Sequence, residues 1–280
     1  MNQDLECVPA ASFSLDALAE IFTRSFEGYV YAMAVTAAML AQRIRGENLD
    51  LARSLVLMSG GEAQGIALLG LRAERAWCGG FGVAAAARGR GYSHRLAATM
   101  IEQARQAGAR ELSLEVLTRN APAIKTYLRA GMRVRRDLRV LEWKRGEREP
   151  ALPPAPPPSQ AWQPRQLLGL FDRLHPVPAA WQRDLPSLLA RAGMQSLAIA
   201  TDDQPSAYAL FSAGPDGRVQ LADLAALQAG DARVLLGALQ GRAAQIASVN
   251  EPAESPLMPA FEDLGFAEVD RQHELVLDLA

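Results

Sequence analysis

The sequence predicts an α/β protein with a mixed sheet, divided into two domains. Two observations carry this prediction. Segments with strand periodicity alternate with segments of helical periodicity in both halves of the 280-residue chain. Between the halves, residues 150–164 contain a dense run of prolines, which is typical of a stiff, extended linker. We therefore expect a first domain over residues 1–148, a Pro-rich linker over 149–164 and a second domain over 165–280.

Composition and charge exclude several classes of function. The net charge is −2 and the pI is about 6.0, so no basic character favours nucleic acid. The first residues are acidic and no apolar stretch is long enough to cross a bilayer, so neither a signal peptide nor a membrane anchor is expected, and the predicted location is the cytoplasm. Cys7 and Cys78 lack CxxC spacing and the three histidines are scattered, so no disulfide framework or metal site is predicted.

The first domain begins with a strand, two helices and a hairpin. Ser12 or Ser14 can cap the first helix, whose apolar residues fall on one face. The pair Gly60-Gly61 predicts a tight turn between two strands. The predicted elements are a strand at residues 5–8, helices at 15–26 and 36–45, and hairpin strands at 54–59 and 65–72.

The next predicted strand, residues 76–83, is unusually rich in glycine. Gly79, Gly80 and Gly82 weaken a strand because they provide no side chain to pack. Glycine in such a position marks a β-bulge or a place where another backbone or a ligand comes close. We expect one of these at this strand.

A turn of sequence Arg88-Gly89-Arg90-Gly91 follows, immediately before an amphipathic helix that extends to about residue 107. A helix N-terminus carries unpaired N–H groups and partial positive charge, so arginines there indicate an anion between them. The glycines permit a tight turn and close approach of a ligand. The turn therefore predicts a pyrophosphate site, although a solvated basic loop is the simpler interpretation of these four residues alone.

The remaining elements continue the alternation. Residues 112–117 predict a strand, 122–129 a helix with proline in its first turn, and 134–143 extended structure. The second domain repeats the order loosely, with helices at 185–192, 231–243 and 257–264 and strands at 196–201, 206–212, 219–227, 245–249 and 274–279.

We interpret this repeated order as an internal duplication, in which Asn120 and Asn250 are equivalent landmarks. The turn before the 231–243 helix contains no arginine, and Asp231 is expected to cap that helix. The second copy therefore lacks the predicted anion site.

The first domain resembles the GNAT family of N-acetyltransferases, which bind acetyl-CoA and acetylate an amine. Residues 88–93 are similar to the family's pyrophosphate signature Q/R-x-x-G-x-G/A, with Ser93 as the departure at its last position. The resemblance covers residues 77–143 well and residues 5–72 in element order only. It implies that the cofactor contacts this turn and the strand before it, namely Phe81, Gly82, Val83, Arg88, Gly89, Arg90, Gly91, Tyr92 and Ser93.

A second signature lies downstream. Asn120, Ala123, Tyr127 and Gly131 are similar in spacing to the family's N-x-x-A-x-x-x-Y-x-x-x-G. The resemblance implies that Asn120 bonds to the cofactor arm and that Tyr127 is the general acid that protonates the departing CoA thiolate. An unperturbed tyrosine is protonated at neutral pH, as such an acid must be. A tyrosine in a helix is otherwise most often a core residue.

Glu115 is the candidate general base. It lies between Leu114 and Val116 in a predicted strand, where a strand covered on both faces would be apolar throughout. Ribosomal-protein acetyltransferases of the family place a glutamate at this spacing from the tyrosine, and the pair formed by Glu115 and Tyr127 resembles theirs. The alternative is an exposed strand residue, with the amine deprotonated through water or another group.

These residues predict an acetyl-CoA-dependent N-acetyltransferase in which a primary amine of a small molecule or protein attacks the thioester directly. Tyr29, Tyr31, Met33 and Met39 either line the acceptor site or belong to the core. The second domain is then a degenerate copy that shapes the acceptor cleft or an interface, including one between two copies of the chain. The alternative function is a non-catalytic acyl-CoA-binding or regulatory protein, which would keep the turn but would not need Tyr127.

Overall fold

The chain divides into two compact units. In a computed structural model, which describes residues 5–31, 33–146, 162–201 and 204–279, the first unit comprises Met1–Arg135 with His273–Ala280, and the second comprises Arg136–Gln272. The second unit thus begins earlier in the chain than the domain boundary predicted at residue 148. Residues 273–280, which the prediction assigned to the second domain, belong to the first unit. Most of the predicted linker lies outside the described residues; its last residue, Pro164, opens a helix.

The first unit is built on a sheet in which β1 (Leu5–Pro9), β2 (Leu55–Ser59), β3 (Glu62–Arg72), β4 (Arg75–Val83) and β5 (Glu111–Leu117) lie side by side in that order, followed by the last described strand of the chain. Strands β1 to β4 pair antiparallel, and β5 pairs parallel to β4. The elements agree with the predicted ones apart from shifts of a few residues at their ends. They are β1 (Leu5–Pro9), α1 (Leu15–Ser25), α2 (Ala37–Glu47), β2 (Leu55–Ser59), β3 (Glu62–Arg72), β4 (Arg75–Val83), α3 (Tyr92–Gln106), β5 (Glu111–Leu117) and α4 (Ala121–Arg129).

Short-range polar contacts set where the helices of the first unit begin. Ser14, not Ser12, caps α1, because its side chain accepts a hydrogen bond from the Ala17 amide at 3.2 Å. Thr36 caps α2 in the same way. The hairpin of β2 and β3 turns at Gly60 and Gly61, which both have positive φ and so require glycine.

Helices cover both faces of this sheet. The apolar face of α3 packs on one side, where Leu96, Met100 and Ala104 are buried with residues of β2 to β5. Helix α1 contacts β3 and β4, and its Leu18 and Phe22 are fully buried. A sheet covered on both faces explains why its central strands are apolar runs and not alternating ones.

The final strand, β11 (Ala267–Asp278), is longer than predicted and contributes to the first unit through its last residues. Leu275 is fully buried in the same core as Leu112 and Met132. The Leu279 amide donates to the Arg110 carbonyl at 2.8 Å, beside the start of β5. The C-terminal residues are thus part of the first unit's core and not of the second unit's.

The second unit repeats the pattern of three antiparallel strands, a helix, a parallel strand and a helix. Two short helices near its start, α5 and α6, are absent from the sequence prediction. Its elements are β6 (Arg133–Lys144), α5 (Pro164–Leu168), α6 (Phe171–Leu174), α7 (Leu185–Ala190), β7 (Gln195–Thr201), β8 (Gln204–Ala213), β9 (Arg218–Ala226), α8 (Ala229–Gln240), β10 (Gln245–Pro252) and α9 (Met258–Asp263).

One expectation about the second unit is wrong. Asp231 does not cap α8: the cap residue is Gln228, Asp231 lies within the first turn, and no side chain hydrogen-bonds to the cap position. Asn250 does not begin a helix as Asn120 does. It lies within β10 with a φ of 61°, and its side chain bonds to Gln182 and Gln272. Asparagine tolerates this left-handed conformation better than most residues, and the two glutamines hold its side chain. Its position therefore has an explanation that does not involve a helix end.

A cluster of buried charges occupies the second unit beside β9 and β10. The Nε2 atom of His175 lies 3.0 Å from Asp223 Oδ1, and its Nδ1 lies 2.9 Å from the Phe171 carbonyl oxygen. Arg183 pairs with Glu251 at 2.5 Å. Both nitrogens of His175 face acceptors only, so its environment favours the doubly protonated, charged ring. Burial lowers the pKa of His175, but the charge and hydrogen bonds of Asp223 and Phe171 outweigh it, and the net shift is upward.

The second unit is therefore expected to lose stability as the pH rises. A folded-state pKa above the unfolded value of 6.5 gives stabilisation that is complete below 6.5 and is lost as the pH passes through the folded-state pKa. Burial also raises the pKa of Glu251. Glu251 therefore also makes the unit less stable as the pH rises, and its effect begins at a lower pH than that of His175. Urea unfolding followed by hydrogen-exchange mass spectrometry of β9 peptides, at about pH 6 and about pH 8.5, measures the difference.

The variant Asp223→Asn is the control for this prediction. It leaves His175 without its counter-ion and should cost about 3 kcal/mol at the lower pH. It should also remove most of the pH dependence over this range. A dependence that persists unchanged in Asp223→Asn contradicts the assignment to His175.

Candidate active site

Strands β4 and β5 separate after a short region of pairing. They pair at Arg75 with Glu111, at Ala76 with Leu112 and at Trp77 with Ser113, and no further pair joins them among the described residues. Beyond Trp77 the strand β4 contains a β-bulge, since its register with β3 skips Gly79. A bulge bends its strand and increases the local twist. The two strands therefore leave a gap at their carboxyl ends.

The three glycines of β4 have the roles that the sequence predicted. Gly79 is the bulge residue, and a Cβ atom there would lie 2.4 Å from the Trp77 ring. A Cβ at Gly80 would lie 2.7 Å from the Phe22 ring, and one at Gly82 would lie 2.8 Å from the Ser25 carbonyl oxygen. Both a bulge and a close approach by α1 are thus confirmed, and larger residues would push α1 away from the strand.

A cleft of about 380 Å³ opens at this gap. Its walls come from the end of α1 and the loop after it, the end of β4, the turn before α3, and the start of α4. Most of the cofactor-binding residues predicted from the sequence lie on these walls, and Arg90 and Gly91 do not. The predicted residues in the walls are Phe81, Gly82, Val83, Arg88, Gly89, Tyr92, Ser93 and Asn120.

The turn before α3 has the geometry of an anion site. Gly89 and Gly91 have φ values of 78° and 81°, which other residues rarely adopt. Gly91 is the N-cap residue, and no side chain caps the helix, so the first amides of α3 are left for another acceptor. Arg90 is exposed and makes no hydrogen bond or ion pair with any described residue. The turn thus offers N–H groups and a cation together.

The Arg88 side chain bonds to two backbone carbonyl groups. Its Nε donates to the Val83 carbonyl at 3.0 Å and its Nη2 donates to the Glu27 carbonyl at 2.5 Å. The guanidinium thereby joins the end of β4 to the loop after α1, and both lie in the cleft wall. Arg88 therefore connects two parts of the cleft wall, and its contact with the cofactor stays a prediction.

Tyr127 lies on α4 in the core beneath the cleft and is 6% exposed. Its ring stands edge-on to Phe81 with the centroids 5.5 Å apart, and Phe81 lines the cleft. Burial, and then the nearby Cys78 and Tyr29, raise the pKa of Tyr127 well above its ordinary value. The phenol is therefore protonated at neutral pH, which is the state that a proton donor needs.

Glu115 projects from the opposite face of β5. Its neighbours Leu114 and Val116 pack in the same core as Tyr127, and successive strand residues point to opposite faces. Glu115 is half-buried, and its Oε2 atom accepts a hydrogen bond from the Trp77 indole at 2.8 Å. The two candidate catalytic groups thus lie on opposite faces of the sheet, close to where β4 and β5 diverge.

Asn120 caps α4 and lines the cleft at the same time. Its Oδ1 atom accepts a long hydrogen bond, 3.4 Å, from the Ala123 amide. The neighbouring Arg119 also lines the cleft and donates to the Tyr31 hydroxyl at 3.3 Å, and Tyr29 lines it as well. Sequence reasoning missed Arg119, although its place beside Asn120, before a helix with proline in its first turn, was an available signal.

In the second unit, strands β9 and β10 also separate after a short region of pairing, but other side chains fill the space between them. Within the described part of the chain, strands β9 and β10 pair only at residues 218–221 with 245–248. The turn before α8 contains no arginine. Past the paired residues lies the cluster of His175, Asp223, Arg183 and Glu251, around a cavity of about 30 Å³. That volume holds a water molecule or two and excludes a cofactor.

Comparison with known proteins identifies the first unit. The sequence profile of the acetyltransferase (GNAT) family matches residues 15–132. This segment belongs to the GNAT family. Among curated proteins no sequence is similar enough to count as a relative of the chain.

Solved structures share the fold of the whole chain. A tandem GNAT protein from the clavulanic acid biosynthesis pathway matches with a TM-score of 0.69 and 16% identity, over 99% of each chain. A GCN5-related N-acetyltransferase from Sphaerobacter thermophilus matches with 0.71 and 14%, over 98% of this chain and 96% of that one. One from Anabaena variabilis matches with 0.67 and 14%, over 99% and 73%. The predicted mixed α/β fold with tandem GNAT-like copies is confirmed.

Two further properties concern the described residues only. None of their helices combines the length and the apolar character that a membrane span requires. Within the same residues, no three side chains of the types His, Cys, Asp and Glu come together in a metal-binding group.

The variant Gly91→Glu should abolish binding of CoA and leave the fold intact. A side chain at φ 81° strains the turn, and its carboxylate repels phosphate at the helix N-terminus. Gly108→Glu is the matched control, because Gly108 has a φ of 80° just past the other end of α3 and open space around its Cβ position. Calorimetry with CoA should show a normal affinity for Gly108→Glu. An equal affinity for CoA in the two variants would contradict the assignment of an anion site to the turn before α3.

Proposed function

We propose that the first unit is an acetyl-CoA-dependent N-acetyltransferase that acetylates a primary amine of a small molecule or a protein. One observation carries the proposal: the gap between β4 and β5 has Tyr127 on one face and Glu115 on the other, and the uncapped N-terminus of α3 lies at its rim. Membership of the GNAT family supports acyl transfer to an amine in general. The acetyl donor and the choice of amine belong to the proposal.

The residues of the turn would hold the cofactor. The amides of residues 89–93 and the Arg90 guanidinium can neutralise a pyrophosphate at the start of α3. Asn120 has its amide nitrogen available toward the cleft because its oxygen caps α4. CoA, when bound, supplies the acetyl group as an activated thioester. Holding that group beside an amine replaces a bimolecular encounter by a positioned one, which provides much of the rate.

Glu115 and Tyr127 then carry the two proton transfers. Glu115 takes a proton from the ammonium form of the acceptor, directly or through water, so that the neutral amine can attack. Tyr127 gives its proton to the sulfur as the C–S bond breaks, so that a thiol leaves in place of a thiolate. The raised pKa of Tyr127 keeps that proton in place until the sulfur becomes basic. The nitrogen that now carries the acetyl group gives up its extra proton, which restores the Tyr127 phenol directly or through water and leaves a neutral amide. Opposite faces for the two groups prevent a direct exchange of protons between them.

The second unit would serve a structural role in this proposal. Its divergence between β9 and β10 is occupied by side chains, and the turn before α8 lacks a cation. The non-catalytic alternative, an acyl-CoA-binding protein, does not require a protonated tyrosine beside the gap. The assay of Tyr127 separates the two functions.

The variant Tyr127→Phe should lower kcat about a hundredfold at neutral pH, because it removes the proton donor and keeps the ring that packs on Phe81. The affinity for acetyl-CoA should not change. A free-thiol assay measures turnover on a panel of chemically different amines, such as spermidine, lysine, an aminoglycoside and a peptide with a free N-terminus. Tyr208→Phe, at a buried tyrosine of the second unit, is the matched control.

The outcomes of this assay distinguish the candidate functions. Turnover by the wild type and by Tyr208→Phe, with loss in Tyr127→Phe, supports the transferase. Tight binding of acetyl-CoA without turnover of any amine supports the non-catalytic alternative. Full turnover by Tyr127→Phe supports the transferase function and contradicts the role of Tyr127 as the general acid.

A further inference from the structure

We propose that Trp77 is a positioning residue for the acyl transfer, whose indole N–H holds the Glu115 carboxylate beside the gap between β4 and β5. The inference rests on the proposed function, in which Glu115 is the base. Trp77 Nε1 lies 2.8 Å from Glu115 Oε2. A charge-assisted hydrogen bond of this length is stronger than one between neutral groups and fixes the direction of the carboxylate.

The position of Trp77 is strongly determined by its surroundings. The side chain is 1% exposed, and Trp77 is the last residue of β4 that pairs with β5. The next residues lead into the bulge at Gly79, where the Trp77 ring occupies the space that a Cβ atom would need. The indole thus fills the volume that the missing side chain leaves, and it cannot swing away without meeting the strand.

A second contact fixes the bulge from helix α2. The Arg43 Nη2 atom donates to the Gly79 carbonyl at 2.5 Å, and Glu47 orients the guanidinium through two oxygen atoms. The bulge carbonyl, which cannot pair in the sheet ladder, thereby obtains a charged donor. Arg43 therefore fixes the bulge, the bulge and Trp77 pack together, and Trp77 directs Glu115.

These contacts together fix the direction in which the Glu115 carboxylate, the proposed proton acceptor, points. A carboxylate that must take a proton from an amine needs a fixed direction, since a misplaced base loses rate steeply. The titratable and charged groups near it are Cys78 on β4, whose thiol senses the charge of Glu115, and Arg43 on α2, whose charge acts on the same thiol. Burial, and then the charge of Glu115, raise the pKa of Cys78 to about 12, so Cys78 is a neutral neighbour.

Replacement of the indole tests the proposal by activity. Trp77→Phe should lower kcat about tenfold and move the acidic limb of kcat/KM to higher pH, because the ionised carboxylate loses its donor. The KM for acetyl-CoA should stay unchanged. The matched control Trp143→Phe, at a buried tryptophan of the second unit, should alter neither quantity. A benzothienylalanine at position 77 keeps the ring shape without the N–H group, and it covers the case in which Trp77→Phe folds poorly.

The indole N–H signal in a ¹⁵N-correlated NMR spectrum gives a test without an acceptor. Trp77→Phe assigns the signal, which should shift as the pH is lowered and Glu115 takes up a proton. Glu115→Gln should remove that dependence. A Trp77 signal that is independent of pH, or a benzothienyl variant with a normal rate and pH profile, overturns the positioning role. Absence of turnover with every amine, together with a pH-dependent signal, overturns the proposed function and leaves the contact itself in place.

Discussion

The site depends on one irregularity in a strand. Gly79 places an extra residue in β4, and after Trp77 the ladder with β5 stops. An unbroken ladder would satisfy more backbone groups, so the bulge must obtain its hydrogen bond elsewhere, and Arg43 provides it. The gap that results is where the cleft, Tyr127 and Glu115 come together. Each of these would lose its place if β4 and β5 stayed paired to their ends.

The sequence predicts those features of the site that arise from backbone conformation. Gly89 and Gly91 both have positive φ, which glycine adopts without strain. Two glycines directly before a helix therefore indicate a turn of this kind from the sequence alone. The bulge and the close approach at β4 follow from its glycines for the same reason. The periodicity of the apolar residues likewise predicts the longer helices of both units, since burial of one face of a helix requires it.

Features that arise from side-chain partners far apart in the chain could not be predicted in this way. The sequence indicates that Arg88 stands at a helix N-terminus, but not that the Glu27 carbonyl would lie within its reach. The contact of Trp77 with Glu115 joins residues on two strands whose register no local pattern specifies. Asp231 is a good capping residue in isolation, yet helix α8 begins earlier, at Ala229 with Gln228 as its N-cap residue, because helix ends respond to tertiary packing as well as to local preference. Helices α5 and α6 are short, so they carry too few turns for a periodicity to appear.

The first unit is completed by a strand, β11, that follows the whole second unit in the chain. Leu275 lies in the core of the first unit, and β11 is the neighbour of β5 in the sheet. A ribosome that has made residues 1–135 has not yet supplied that strand, and the whole second unit must be translated before it emerges. Until then β5 is an unprotected edge, open to pairing with another nascent chain. Contacts over so long a stretch of sequence also form slowly compared with local ones. The first unit, although most of it precedes the second in the chain, therefore cannot be complete until the second has been translated.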